Sequence, residues 1–319
     1  MTITVVAERP PGTRRKRRWV SWTLAGFFVA WAIVRLFGIE VGSLVTQLMT
    51  LTPYGAAGAL VVALLVWRRN RPAAIAALVA CAVLAVLVLP RATGVPVGQG
   101  KPFRVLSLNM FGRADPDTVV ALVRKYHPDV LSALELTPAQ VDRLDAAGLK
   151  DLMPYRVLEP DYGATGSGLY AALPMTPLTG LFTPIGHNMP AATVTLPDGR
   201  PVQVVAVHPN PPLGSMTSEW NASLAALPSA SKDVLRVLAG DFNASLDHRA
   251  FRDLLSRGYL DAADRAGKAL TPTWPNGRRL PPMITIDHIL ADSRAGVASV
   301  EILDVPGTDH RAIYTDLRL

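Results

Sequence analysis

Three apolar stretches fill most of the first ninety residues: Trp19 to Phe37, about Leu44 to Trp67, and about Ala73 to Leu89. Each approaches the ~20 residues that cross a bilayer's hydrocarbon. Pro53 and Gly55 interrupt the second stretch, so it is expected to span from roughly Leu48 onward with a kinked or interfacial beginning, two spans being the alternative to three. Arg14, Arg15, Lys16, Arg17 and Arg18 precede the first stretch, and Arg68, Arg69 and Arg71 stand between the second and third, whereas the turn from Gly38 to Ser43 has no Lys or Arg. The positive-inside rule then places the amino terminus in the cytoplasm and everything after Pro90 on the outer side, a multi-pass cell-membrane protein with an extracytoplasmic carboxyl-terminal part. A cleaved signal peptide also begins with basic and then apolar residues. The first stretch is too long for one, has no small-residue cleavage pattern after it, and is followed by further spans. Arg35 is read as a boundary residue whose stem snorkels, and Trp19, Trp22, Trp31 and Trp67 as interfacial indoles.

Charge divides the chain in the same place. Residues 1–90 carry ten Lys/Arg and two acids, whereas residues 91–319 carry 22 Lys/Arg and 23 acids. The pI near 9.8 therefore reports membrane topology, and the large polar part has no basic cluster larger than Arg278-Arg279, which disfavours a nucleic-acid duplex as partner without excluding it. The single cysteine, Cys81, lies in the third stretch, which excludes disulfides and thiolate metal sites from the polar part.

Residues 1–90 are thus read as an anchor, 91–102 as a short Gly/Pro/Thr linker, and 103–319 as one folded domain. In that domain strands are expected at Phe103 to Asn109, Asp129 to Glu135, Gly168 to Leu173, Ala191 to Leu196, Pro201 to His208, Val234 to Asp241, Thr285 to Ala291, Val300 to Asp304 and Ala312 to Leu317. Helices are expected at Pro116 to Tyr126, Pro138 to Lys150, Thr217 to Leu227 and His248 to Arg257. Pro197-Asp198-Gly199-Arg200 marks a hairpin, so an antiparallel component is present. Many strands with interspersed helices predict an α/β fold, a two-sheet sandwich covered by helices, preceded by about three transmembrane helices.

Polar residues recur at the carboxyl ends of the apolar strands, where a sheet hands its side chains to a cleft. These are Asn109 after Leu106-Ser107-Leu108, Glu135 after Leu134, His208 after Val207, the run Gly240-Asp241-Phe242-Asn243, and Ile286-Asp287-His288; Thr308-Asp309-His310 precedes the last strand. A set rich in Asp, Glu, Asn and His suits a hard divalent cation, Mg2+ or Mn2+, shared with substrate phosphate oxygens.

These motifs, in this order, resemble the endonuclease/exonuclease/phosphatase superfamily of DNase I-like phosphoesterases across roughly residues 103–319, and Thr273-Trp274-Pro275 resembles a further feature of it. The resemblance implies a DNase I-like sandwich and a Mg-dependent hydrolase. It implies metal binding by Glu135 with Asn109 beside it and Asp309 completing or supporting the site. Asp241 would orient the attacking water and Asn243 hold a phosphoryl oxygen. His310, steered by Asp287, would be general base or stabilise developing charge, with His208 on the leaving-group side.

Substrate follows less directly, because this fold serves many phosphoesters. The layout of basic amino terminus, spans and outward domain resembles the VanJ-like membrane phosphatases associated with teicoplanin resistance, which implies undecaprenyl pyrophosphate, a lipid phosphate of the outer leaflet, as substrate. An extracellular nuclease, a sphingomyelinase-like phospholipase C and a catalytically silent binding module are the alternatives. His127, His187 and His248 have no partner pattern and are read as surface residues, and His288 as packing or solvent-facing. Ser167 reads equally as a strand start beside the cleft or a turn. Arg113, the pair Arg278-Arg279, Trp220 and the run His208 to Pro212 read equally as rim or as ordinary loop.

Overall fold

The computed structural model describes residues 11–277 and 280–319, with side chains from Arg18 onward, so the Arg278-Arg279 pair and the basic side chains of residues 14–17 lie outside the described residues. The apolar amino-terminal stretches form α1 (Pro11–Phe37), α2 (Gly42–Met49), α3 (Thr52–Val66) and α4 (Arg71–Val88). Among the described residues, two helical stretches are by themselves long and apolar enough to cross a membrane, Arg18–Phe37 and Arg71–Ala92. α2 and α3 reach that length only together, and they meet at a bend of 82°. The interruption at Pro53 therefore appears as a break, with the proline in the first turn of α3, where its missing N–H costs nothing.

The described residues fall into two compact units. One comprises residues up to Ile39 together with Leu51–Leu89; the other comprises Glu40–Thr50 and Pro90–Leu319. In the first, small residues make the helix contacts: Ala25, Ala63, Ala73 and Ala77 form its buried cluster. Gly58 admits the ring of Phe28, which an added Cβ would approach to 2.9 Å. Large side chains such as Leu60, Val61, Leu64, Leu65 and Val86 point outward.

The second unit is built on two six-stranded mixed sheets. The first runs β11 (Gly296–Leu303), β12 (Ala312–Arg318), β1 (Pro102–Asn109), β2 (Val130–Leu134), β4 (Ser167–Ala171), β3 (Tyr155–Glu159). The second runs β5 (Met175–Pro177), β6 (Ala191–Thr195), β7 (Pro201–Val207), β8 (Leu235–Asp241), β10 (Asp287–Asp292), β9 (Tyr259–Asp261). The expected hairpin is β6–β7, antiparallel. Alternation along β1 places Phe103, Val105 and, by parity, Asn109 on the face that meets the second sheet, while Leu106 and Leu108 pack under α5 (Pro116–Tyr126). Ser132 Oγ donates to Ala239 O at 2.8 Å, joining the sheets directly.

The helix expected over Pro138 to Lys150 is two helices, α6 (Pro138–Ala146) and α7 (Leu149–Leu152), separated by Gly148 at φ +95°. α8 (Thr217–Ala226) and α9 (Arg249–Leu255) follow the sequence reading closely, and the one-turn helix α10 (Ala262–Arg265) adds to it. β3, β5 and β9 have no counterpart in the sequence reading. Two of them have three residues each, and β3 is an exposed sheet edge, so none carries an apolar alternation.

Candidate active site

Strand direction assembles the site. β1 and β2 are parallel, with Asn109 opposite Leu134, so Asn109 and Glu135 leave the first sheet at one edge. β7 and β8 are parallel, with Val207 opposite Gly240, so His208 and Asp241 leave the second sheet together. β10 runs antiparallel to β8 with Asp287 opposite Asp241, and β12 antiparallel to β1 with Ile313 opposite Ser107. Their amino-terminal ends, bearing Asp287 and Asp309-His310, therefore meet the carboxyl ends of the other four. Gly240 permits the close strand approach: a Cβ there would lie 1.9 Å from Val207 O.

The side chains then interlock. Asn109 Nδ2 donates to Glu135 Oε1 at 3.0 Å and to Asp241 Oδ2 at 3.2 Å, while its oxygen accepts from Phe111 N at 3.0 Å. It thus holds two carboxylates with its amide nitrogen. Asp241 Oδ2 lies 3.6 Å from His310 Nε2 and 3.8 Å from His208 Nε2. Asp241 Oδ1 accepts from Asn243 N at 2.8 Å, and Asn243 Nδ2 donates to Pro209 O at 3.0 Å. Asp287 meets His310 Nδ1 at 2.9 Å. Asp309 accepts from Trp274 Nε1 at 3.3 Å. Glu135, Asn243 and Phe111 all have φ near +50°, backbone conformations that cluster where a site rather than a strand dictates side-chain direction.

Burial and like charge set the electrostatics. Burial raises the Glu135 carboxyl, against the hydrogen bond from Asn109. Burial and then the Asp287 carboxylate raise Asp241. His208 is driven well below the usual imidazole range, first by burial and then by the neighbouring His187 and His310. Burial alone would lower His310 too, but the Asp287 and Asp241 carboxylates overcome it and hold it up to about 10. Four acidic side chains, Glu135, Asp241, Asp287 and Asp309, surround one imidazolium. That excess of oxygen ligands and negative charge fits a hard divalent cation. Asp241, Asp287 and His310 also offer ligand atoms within 4.8 Å of one another, although the direct Asp287–His310 bond already commits that pair.

The residues matched by a family model run from 106 to 310, and that model describes the endonuclease/exonuclease/phosphatase family. The chain belongs to this family. Members of this family are hydrolases of phosphoester bonds, phosphatases and nucleases among them. No curated protein sequence matches the chain significantly. Solved structures similar to it include a humanized D. rerio TDP2 (TM-score 0.55, 18% identity, covering 68% of this chain and 99% of that one). The mannosyl-6-phosphatase of Bacteroides thetaiotaomicron is similar at TM-score 0.53 and 16% identity, covering 68% of this chain and 100% of that one. An endonuclease/exonuclease/phosphatase from Beutenbergia cavernae is similar at TM-score 0.53 and 20% identity, covering 69% and 72%. These likenesses establish a DNase I-like α/β sandwich.

Two histidines read as surface residues are not on the surface. His187 is half-buried, its Nδ1 3.2 Å from His208 Nδ1. His248 is fully buried, accepting from Ser245 N at 2.8 Å and meeting Thr46 O at 2.9 Å through Nε2. His127 is exposed at the end of α5, as expected. His288 is packing, held between Asp261 and Ala244 O. Ser167 is a buried strand start paired with Leu134. Trp220 is buried packing, and Nε1 donates to Phe242 O. Thr308 and Thr273 were missed as organisers. Thr308 Oγ1 donates to Asn109 O and accepts from His310 N; Thr273 Oγ1 accepts from Ile286 N and Asp287 N. Both stand within quoted motifs, Thr273-Trp274-Pro275 and Thr308-Asp309-His310, but nothing in the sequence marks their hydroxyls as organisers.

Proposed function

We propose that the chain is a membrane-anchored, metal-dependent phosphoesterase whose catalytic domain lies outside the cytoplasm and whose substrate is undecaprenyl pyrophosphate or a related lipid phosphate. The observation that carries the chemistry is the convergence of Glu135, Asp241 and the Asp287–His310 pair at one edge of the two sheets. Glu135 and Asp309, with Asn109 beside them, are the residues that would hold Mg2+ or Mn2+. When bound, the ion would neutralise charge on the phosphoryl oxygens. Asp241 Oδ2, fixed by Asn109 and facing two imidazoles, orients the attacking water and receives its proton. His310, kept charged by Asp287, stabilises the negative charge that develops beside it. His208, kept neutral by burial, shares its proton on the leaving-group side. Asn243 uses one N–H on Pro209 O and keeps the other for a phosphoryl oxygen.

A lipid substrate is supported by the apolar helices and by the near-neutral charge of residues 91–319. The chain order is compatible with it: Glu40–Thr50 and Pro90–Leu319 belong to one unit, as two crossings between them, the 15-residue α3 with its flanking residues and α4, would require. With α1 as a further crossing and a basic cytoplasmic amino terminus, the catalytic unit lies outside. The TDP2 structure with single-strand DNA product keeps a nuclease as the reading to test against. Purified full-length protein in detergent, given Mg2+ or Mn2+, is expected to release phosphate from a polyprenyl pyrophosphate, and chelator or Asp241→Ala is expected to abolish this. Cleavage of DNA or sphingomyelin without turnover of the lipid pyrophosphate would overturn the assignment.

A further inference from the structure

The short helix α2 belongs to the catalytic unit, with Thr46 and Met49 as its buried residues. Polar groups on α2 bond it to the loop before α8 and to His248. Ser43 Oγ donates to Pro212 O at 3.0 Å and accepts from Gly214 N at 2.9 Å. Thr46 is buried, and its carbonyl meets His248 Nε2 at 2.9 Å. Because His248 Nδ1 accepts from Ser245 N, the ring proton sits on Nε2 and is donated to that carbonyl. Just before the helix, the Glu40 carboxylate accepts from the backbone N–H groups of Arg249 and Ala250, the first turn of α9.

The other side is apolar. Val41, Leu44, Val45 and Leu48 recur at helical spacing on one face, with Leu44 84% and Val41 72% exposed. Leu213, 47% exposed, lies between the two residues that bond Ser43 and adds to this face. No Lys or Arg occurs from Leu36 to Trp67, and the one acid, Glu40, is engaged on α9. Such a face fits the boundary between headgroups and acyl chains, where an amphipathic helix buries its apolar side by about 5–10 Å. Chain continuity leads to the same surface, since α2 is joined within a few residues to the apolar helices α1 and α3.

We infer that α2, together with Leu213, is an interfacial docking element that seats the catalytic unit on a lipid surface. The loop from His208 to Gly214 connects it to the chemistry: one end is His208, the other is bonded to Ser43, and Asn243 holds Pro209 between them. The rim of the active site is thereby fixed at the depth of lipid headgroups, where a lipid phosphate presents itself. This inference rests on the membrane reading given above and deepens it.

Full-length protein carrying Cys81→Ser and one new cysteine, Leu44→Cys, Leu213→Cys, Val86→Cys in α4 or Lys125→Cys in α5, is labelled with a polarity-sensitive fluorophore. Each is reconstituted in nanodiscs with or without lipids bearing a nitroxide near the headgroup. Labels at positions 44 and 213 are expected to shift to shorter wavelength and lose most of their emission to the nitroxide, while the label at 125 keeps its emission. Emission at 44 and 213 that is untouched while 86 responds to nitroxide-bearing bilayers would overturn docking and leave anchoring intact. No response at 86 would overturn anchoring, and docking with it. Leu44→Glu combined with Leu213→Glu should lower turnover of vesicle-embedded lipid pyrophosphate several-fold with a water-soluble pyrophosphate ester unaffected; equal loss on both would also overturn it.

Discussion

The two units of this chain follow opposite packing rules. The anchor unit buries mostly alanine, with Leu84, Val66, Val88 and Trp31 among the few large side chains inside it, and turns many of its leucines and valines outward, whereas the catalytic unit buries Phe103, Trp220, Phe242 and Phe251 and, at one sheet edge, a cluster of acids and histidines. In water the catalytic arrangement gains from removing large apolar surface, and its buried charges persist only because they bond one another. On the proposed membrane reading, lipid offers no gain from burying leucine against leucine, so close backbone approach through small residues decides helix packing. The solvent then sets the rule in each half.

The sharpest way to break this contrast is to remove a buried charge from the catalytic unit. Asp241→Asn should lower kcat by roughly a thousandfold with the melting temperature of the catalytic unit unchanged or raised, because its carboxyl is held in a setting that resists ionisation. A fall in activity matched by unfolding would assign Asp241 a structural role. Next is the Arg91–Asp247 pair, buried and bonded twice at 2.6 and 2.7 Å. Arg91→Ala should destabilise the catalytic unit by about 3–5 kcal/mol, measured by denaturant unfolding in detergent, and the double replacement Arg91→Met with Asp247→Leu should recover most of that loss.

Exposed apolar residues sharpen the comparison directly. Leu64 in α3 and Tyr162 in the catalytic unit are both exposed. Leu64→Asp should reduce membrane insertion by roughly 3 kcal/mol, whereas Tyr162→Asp should change stability by less than about 0.5 kcal/mol. Equal effects would remove the distinction between the units. A further test concerns pH. His248 is held at about 4 by burial, below its ordinary 6.5. The unfolded chain therefore takes up the proton first, so stability is complete above pH 6.5 and is lost as pH falls toward 4. Between pH 7 and pH 5 the catalytic unit should lose about 2 kcal/mol through this group, and His248→Gln should flatten that part of the profile.

Nine strands and the main helices of the catalytic unit were legible because they are long, apolar and bounded by Gly, Pro or Asp. The short edge strands Tyr155–Glu159, Met175–Pro177 and Tyr259–Asp261 were not, since pairing rather than composition makes them strands. The residues that converge at this sheet edge were legible as polar endings of apolar runs. His187 and His248 were not, because a histidine's burial depends on what the fold brings to it from far along the chain: position 208 for the first, position 46 for the second.

By itself the sequence determined the division into an apolar basic-flanked part and a polar near-neutral part, the polar strand endings that the fold gathers, and membership of a phosphoesterase family, because hydropathy, charge and motif order are properties of the chain. Only the tertiary structure decided that Asp241 stands between two imidazoles, that burial pushes His208 down while the Asp287 and Asp241 carboxylates hold His310 up, and that Glu40–Thr50 joins the catalytic unit. Each of these depends on burial and on distances between residues far apart in sequence, and strand direction fixes those distances.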